Sequence, residues 1–113
     1  MNREAFEKFL DEALECIKTF DVDKIILFGS YASGRADEES DADIFILKKE
    51  LPPRQIQHYR RKIEKKLIPM QRKYKIGIDL LVDNEENAKI RLEKIGDQFY
   101  EEIFSKGKIL YAQ

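Results

Sequence analysis

Apolar residues return every three or four positions between residues 3 and 18 of the chain. That spacing places six apolar side chains on one face of a helix, with charged side chains on the opposite face. The six residues are Phe6, Phe9, Leu10, Ala13, Leu14 and Ile17. The pattern predicts an amphipathic helix over 3–18 that packs against the core.

Two short apolar runs then predict buried strands. The first run, Lys24–Phe28, ends at Gly29-Ser30, which indicates a tight turn that leads into a short helix. The second run, 44–47, follows the tripeptide 41–43, Asp-Ala-Asp. Residues 36–40 between the runs are too polar to pack, so we expect a solvent-exposed loop there.

The second half of the chain predicts two longer helices and two more strands. We expect a helix over 54–69 that Pro69 helps to end, and a third strand over 75–82. A last helix over 86–105 is expected to bury a single apolar stripe, with Gly96 as a weak point inside it. The stripe consists of Ala88, Leu92, Ile95, Phe99 and Ile103. Gly107 is expected to cap this helix before a short closing strand over 108–111.

The order of the main elements, α-β-α-β-α-β-α, predicts a small β-sheet packed with helices, an α+β fold with layered α/β character. Its 113 residues predict a single domain, 1–113. The single cysteine, Cys16, permits no internal disulfide, and it is expected to be a packing residue. The chain contains no membrane-length apolar run, and its acidic, amphipathic N-terminus does not resemble a signal peptide. We therefore expect a cytoplasmic protein.

Charge is almost balanced over the whole chain but not along it. The 21 Lys and Arg residues nearly cancel the 22 Asp and Glu residues, so the molecule lacks the field of a general nucleic-acid binder. The segment 54–75, however, contains nine Lys or Arg residues against one acid, Glu64. This segment is either a solvated surface or a docking surface for RNA or an acidic partner. His58, the only histidine, is expected to be exposed on the same helix.

The candidate chemistry lies at the Gly-Ser turn and the two acids that follow it. Gly29 allows a ligand to approach the backbone, and Ser30 can cap a helix or donate its hydroxyl, which suits a phosphate. Asp41 and Asp43 are two residues apart, so in a strand their carboxylates point the same way. Adjacent carboxylates repel each other unless cations lie between them. The combination predicts metal-assisted phosphoryl or nucleotidyl transfer.

Gly-Ser, ten further residues and Asp-x-Asp resemble the signature of the DNA polymerase beta-type nucleotidyltransferase superfamily. Asp79, in the apolar run 76–82, matches the third carboxylate of that family. Within it, the short chain resembles the minimal nucleotidyltransferase (MNT) branch, whose members are often encoded with HEPN-domain partners as antitoxins. The resemblance covers about residues 1 to 111, and it implies a mixed sheet in which the first three strands are neighbours.

The resemblance also implies roles for individual residues. Asp41, Asp43 and Asp79 would be the catalytic acids and would hold two Mg²⁺ ions. Gly29 and Ser30 would bind the β- and γ-phosphates of ATP or another NTP. Arg35 either steadies the phosphates or faces solvent.

The acceptor of the nucleotidyl group is less well defined by the residues. The resemblance favours AMP transfer to a Tyr hydroxyl of a HEPN toxin, in a type VII toxin–antitoxin system. Two alternatives remain, a non-catalytic antitoxin that occludes its partner and an enzyme that modifies small molecules such as aminoglycosides. Apolar residues exposed on the first or last helix would indicate a homo- or hetero-oligomer. A Walker motif, a zinc-ligand spacing and a Ser/His/Asp set are all absent from the sequence.

Overall fold

The computed structural model describes residues 3–37 and 39–113, and four strands of the described chain form one sheet. In chain order the strands are β1 (Lys24–Phe28), β2 (Ala42–Leu47), β3 (Ile78–Asp83) and β4 (Lys108–Ala112). Their order across the sheet is β3-β2-β1-β4. β1 is antiparallel to β2 and β4, whereas β2 and β3 are parallel. The predicted mixed sheet, with the first three strands as neighbours, is therefore confirmed.

Two long helices cover one face of this sheet. They are α1 (Arg3–Lys18) and α3 (Ile56–Tyr74), and they pack against each other as well as on the strands. The strands contribute to this larger core Ile25, Leu27, Ile44, Ile46, Leu80 and Val82. From α1, Phe9, Ala13 and Ile17 are fully buried, which confirms the predicted apolar face.

The opposite face carries a smaller core under α5 (Gln98–Lys106). Because strand side chains alternate between faces, the residues between those of the larger core point to this side. The smaller core consists of Ile26, Phe45, Leu47, Ala88, Tyr100 and Ile103. It covers only part of the sheet, so one end of this face stays open.

The helix predicted to end at Pro69 continues past it. A 3-10 turn, Pro53–Gln55, leads into α3, which includes Pro69 and ends at Tyr74. Pro69 is exposed, so water can bond the carbonyl group that loses its helical partner. Lys75 adopts a left-handed conformation (φ 56°) that ends the helix, so β3 begins three residues later than predicted.

The prediction of a single last helix over 86–105 is also wrong, because the chain forms three helical pieces there. They are α4 (Glu85–Lys89), a π-helical turn (Ile90–Ile95) and α5. Gly96, with φ 66°, ends the π-helical turn, and the Asp97 carboxylate accepts a hydrogen bond from the backbone N–H of Tyr100 to cap α5. Because of this break, α5 does not continue the apolar stripe of the residues before it. Two residues of the predicted buried stripe are therefore solvent-accessible, Ile95 at 64% and Phe99 at 52%.

The remaining predicted elements agree with the structure. The closing strand β4 pairs with β1, and Gly107 caps α5 where a Cβ would lie 2.3 Å from the Ile103 carbonyl oxygen. The described residues of the predicted loop 36–40 lie outside helices and strands, and Glu38 lies outside the described residues. No helix in the described ranges has the length and apolar character needed to cross a membrane.

Candidate active site

The register of the three central strands brings two of the predicted acids side by side. Asp43 of β2 pairs with Phe28 of β1 on one side and with Asp79 of β3 on the other. Paired residues of neighbouring strands project from the same face and are about 5 Å apart. The next row of the same face, Ile26, Phe45 and Leu81, is apolar. The site therefore begins where the sheet face changes from the smaller core to carboxylates.

Asp41 lies just before β2, beside Gly77 of the neighbouring segment. It is near enough to Asp43 for its charge to raise the pKa of that carboxyl. A Cβ on Gly77 would lie only 2.2 Å from Oδ1 of Asp41, which shows that this carboxylate packs against bare backbone just before β3. Asp43 and Asp79 line the cleft described below, whereas Asp41 stands beside it.

The three carboxylates influence one another electrostatically. Burial raises the pKa of Asp43, and the neighbouring charges of Asp79 and then Asp41 raise it further. A divalent cation would relieve both effects, so the donor set fits the hard oxygen ligands that Mg²⁺ prefers. Among the residues that the structure describes, however, no three acidic, His or Cys side chains are close enough to enclose one ion. Water or a bound ligand would have to supply the rest of an ion's coordination shell.

The Gly-Ser turn lies directly against these acids. The short helix α2 (Gly29–Ser33) begins at Gly29, whose φ is 75°, and a Cβ there would lie 2.1 Å from Oδ2 of Asp43. Glycine is therefore needed for both the left-handed backbone and the space. Ser30 does not cap this helix, because Phe28 occupies the N-cap position and no side chain bonds there. The Ser30 side chain lines the cleft instead.

A cleft of about 630 Å³ opens above this row of residues. Five of the six predicted site residues line it: Gly29, Ser30, Arg35, Asp43 and Asp79. The Arg35 side chain is exposed at its edge, and the Arg35 backbone N–H donates to the carbonyl of Ser30 at 2.9 Å. The volume falls in the range of small-molecule sites in proteins. The volume of the cleft is therefore sufficient for a nucleotide.

Part of the cleft lining was missed by the sequence analysis. It consists of Phe99, Glu102 and Lys106 of α5, and of Phe28 at the end of β1. Phe99 was expected in the core because the stripe 88–103 was treated as one continuous helix. The dipeptide Gly96-Asp97, a helix stop followed by an N-cap residue, is the signal that identifies the break.

Three further sequence hypotheses concern residues away from the cleft. Cys16 is partly buried, packs on the larger core and has its pKa raised by burial, so it is suited to packing as predicted. His58 is exposed, also as predicted. In the basic segment 54–75, Arg60 pairs with Glu64 at 3.4 Å and Lys73 with Glu12 at 3.3 Å. Its other cations extend into solvent without an ion pair inside the described chain, so a docking role for this surface remains a prediction.

Comparison with known proteins identifies the family. The family model described as "Nucleotidyltransferase domain" matches residues 10–110. A relative from Methanocaldococcus jannaschii named "Putative protein adenylyltransferase MJ0141" is 38% identical over 63% of this chain and 75% of its own length. A second, "Putative protein adenylyltransferase MJ0604" from the same organism, is 33% identical over 98% of this chain and 100% of its own length.

A solved structure shows the same fold. The crystal structure of a protein described as a putative nucleotidyltransferase from Sulfolobus solfataricus superimposes with a TM-score of 0.57. It covers 100% of this chain and 91% of its own chain at 16% identity. Together with the family match over nearly the whole chain, these findings confirm the resemblance: this chain belongs to the nucleotidyltransferase domain family.

Proposed function

We propose that this nucleotidyltransferase uses Mg²⁺ to transfer AMP from ATP to a hydroxyl group of a partner protein, with a Tyr of a HEPN-domain toxin as the first candidate acceptor. The observation that carries the proposal is the register of Asp43 beside Asp79, next to the Gly29-Ser30 turn. A carboxylate pair and a phosphate-binding turn in one cleft are the parts that metal-assisted transfer at a phosphate requires.

The choice of acceptor and nucleotide rests on relatives and on the resemblance. Both M. jannaschii relatives carry names that describe protein adenylyltransferases, which supports ATP as donor and a protein as acceptor. The resemblance to the minimal branch of the superfamily supports a HEPN partner and a Tyr acceptor. The cleft is open, so an acceptor side chain of a second molecule can reach the acids.

In the proposed reaction, the acceptor oxygen forms a bond to the α-phosphorus as the bond from that phosphorus to the bridging β-phosphate oxygen breaks. Pyrophosphate leaves with the electron pair of the broken bond, and the hydroxyl proton passes to solvent. Two Mg²⁺ ions, held by Asp41, Asp43 and Asp79, would neutralise phosphate charge and lower the pKa of the acceptor hydroxyl. Gly29 gives the phosphates access to the backbone, while Ser30 and Arg35 hold the β- and γ-phosphates and orient the leaving group.

Label transfer tests this proposal directly. The purified chain is incubated with Mg²⁺, ATP radiolabelled at the α-phosphate, and the product of a neighbouring HEPN reading frame of the source genome. We expect label on a Tyr of the partner, and a fall on the order of 10³-fold for Asp41→Asn/Asp43→Asn. That fall corresponds to about 4 kcal/mol, within the several kcal/mol of charge stabilisation that bound metal ions supply. A chelator should have the same effect as the double substitution.

Two results would contradict catalysis. One is an unlabelled partner in the presence of folded wild-type protein, Mg²⁺ and each of the four NTPs. The other is equal silencing of the partner by wild type and double variant, which would favour a non-catalytic antitoxin that acts by occlusion.

A further inference from the structure

Phe99 is the most exposed aromatic side chain of the second, α5-covered face of the sheet. Its neighbours on α5, Tyr100 and Ile103, are buried at 5% and 1% exposure, whereas Phe99 is 52% exposed. An exposed phenyl ring leaves apolar area in contact with water, and a ligand that covers it gains the free energy of removing that area from water. Exposure alone does not identify a ligand site, because single exposed apolar residues are common on protein surfaces. The surroundings of Phe99 decide whether its ring has a binding role.

Phe99 lines the same cleft as Asp43, Asp79 and Ser30. Its ring is held by Phe28, the β1 residue that pairs with Asp43, at a centroid distance of 5.7 Å and an interplanar angle of 80°. This edge-to-face contact fixes the orientation of the Phe99 ring relative to the carboxylates. The cleft thus has an acidic, phosphate-compatible part and, next to it, an aromatic part.

A nucleoside triphosphate has the same division into a charged end and a flat aromatic end. With the phosphates at Gly29, Ser30 and the acids, the part of the cleft that is left for the base is lined in part by α5. The helical spacing of Phe99, Glu102 and Lys106 places all three on the side of α5 that lines the cleft. The ring offers a stacking surface, and the two charged side chains lie further along the same helix.

We propose that Phe99, held in place by Phe28, is the stacking platform for the nucleobase of the donor nucleotide. This inference rests on the proposed nucleotide chemistry. It adds a residue that contacts the base, so that the site can distinguish a nucleotide from a polyphosphate. Stacking of a base on an aromatic side chain is sequence-tolerant, so Phe99 contributes affinity for a base as such. Selection among bases is left to the polar residues at the rim of the cleft.

Two ligands that each contain three linked phosphates, one with a base and one without, distinguish base stacking from any other role of Phe99. Titration calorimetry with Mg²⁺ measures the Kd of α,β-methylene-ATP, which has a base and cannot react, and of inorganic tripolyphosphate, which has none. We expect Phe99→Ala to weaken binding of the ATP analogue about tenfold and to leave tripolyphosphate binding unchanged. Phe99→Tyr, which keeps the ring, should bind both ligands as the wild type does.

Ile95→Ala is the matched control, because Ile95 is a similarly exposed apolar residue that does not line the cleft. It should change neither Kd. Equal weakening of both ligands by Phe99→Ala, or unchanged binding of the ATP analogue, would overturn the platform assignment. In the second case, a loss of partner labelling would instead place Phe99 in the surface that contacts the partner. Failure of the wild-type protein to bind either ligand would count against the proposed function itself.

Discussion

Gly29 and Gly34 have almost the same backbone conformation but different surroundings. Their φ angles are 75° and 78°, and both lie in the left-handed region that side chains with a Cβ disfavour. At Gly34 an added Cβ meets no heavy atom within 4 Å, whereas at Gly29 it would lie 2.1 Å from the Asp43 carboxylate. The pair therefore separates the cost of the backbone conformation from the cost of displacing a catalytic candidate.

We expect Gly29→Ala and Gly34→Ala to lower the free energy of unfolding by a similar amount, about 1–2 kcal/mol, from the left-handed conformation. Only Gly29→Ala should displace the Asp43 carboxylate, and a displacement of about 1 Å at a reacting site can cost about 100-fold in rate. Chemical denaturation and label transfer measure the two quantities. Comparable activity of the two variants would show that the position of Asp43 does not depend on Gly29.

At the scale of elements, a buried carboxylate at the end of β3 forms hydrogen bonds to α4 and α5. Asp83, the final residue of β3, is 2% exposed and accepts hydrogen bonds from the Tyr100 hydroxyl at 2.5 Å, from Nδ2 of Asn87 at 2.6 Å and from the Asn84 backbone at 2.8 Å. Burial, and then the hydrogen bond to Asp83, raise the pKa of Tyr100, so its hydroxyl stays a donor. The next residue, Asn84, is the N-cap of α4.

Because this link positions α5, we expect Tyr100→Phe to lower the free energy of unfolding by about 1.5–3 kcal/mol, the range for a hydrogen bond to a charged group. Tyr111→Phe is the control, since the Tyr111 hydroxyl has no hydrogen bond within the described residues. Urea denaturation of both variants measures the difference. Equal stability of the two variants would mean that the Asp83–Tyr100 bond contributes nothing to docking of α5.

At the scale of the whole molecule, the negative charge of the Asp43 carboxylate lowers the stability of the folded state when no cation is bound. The pKa of Asp43 is raised by burial and by the like charges of Asp79 and Asp41, so its ionised form is less favourable in the folded state than in the unfolded chain. This unfavourable contribution is absent at low pH, appears as the pH rises through the raised pKa, and is complete at neutral pH. A bound nucleotide with its cations would reverse it.

We therefore expect Asp43→Asn to raise the Tm at neutral pH without Mg²⁺, and to lose this advantage below the ordinary Asp pKa of 3.8. With Mg²⁺ and α,β-methylene-ATP at about 100 times Kd, the wild type should gain about 2.7 kcal/mol of stability. The Asn variant should gain much less. Thermal melts over a pH series, with and without the ligand, measure both effects. A variant that is less stable than wild type at pH 7 without ligand would contradict the electrostatic account.

Local patterns in the sequence were sufficient for α1, β1, β2 and the Gly29-Ser30 turn, because each depends on neighbouring residues and on one buried face. The sequence also supplied the three candidate acids, Asp41 and Asp43 from their spacing after the Gly-Ser turn and Asp79 from the family resemblance. The end of α3 beyond Pro69 was beyond local reasoning, because an exposed proline can be accommodated in a helix that tertiary contacts hold on both sides of it.

What only the tertiary structure decided is which residues meet across elements. Sequence spacing by itself placed Asp41 near Asp43, and strand register then brought Asp79 beside Asp43 and Gly77 beside Asp41. The break at Gly96 directed Phe99 into the cleft, a contact between residues far apart in the chain. The sequence by itself therefore determined the chemistry available to this protein, because that depends on residue type and local order. Packing of distant segments decided the shape of the site, because register and helix orientation are set by the contacts of the whole fold.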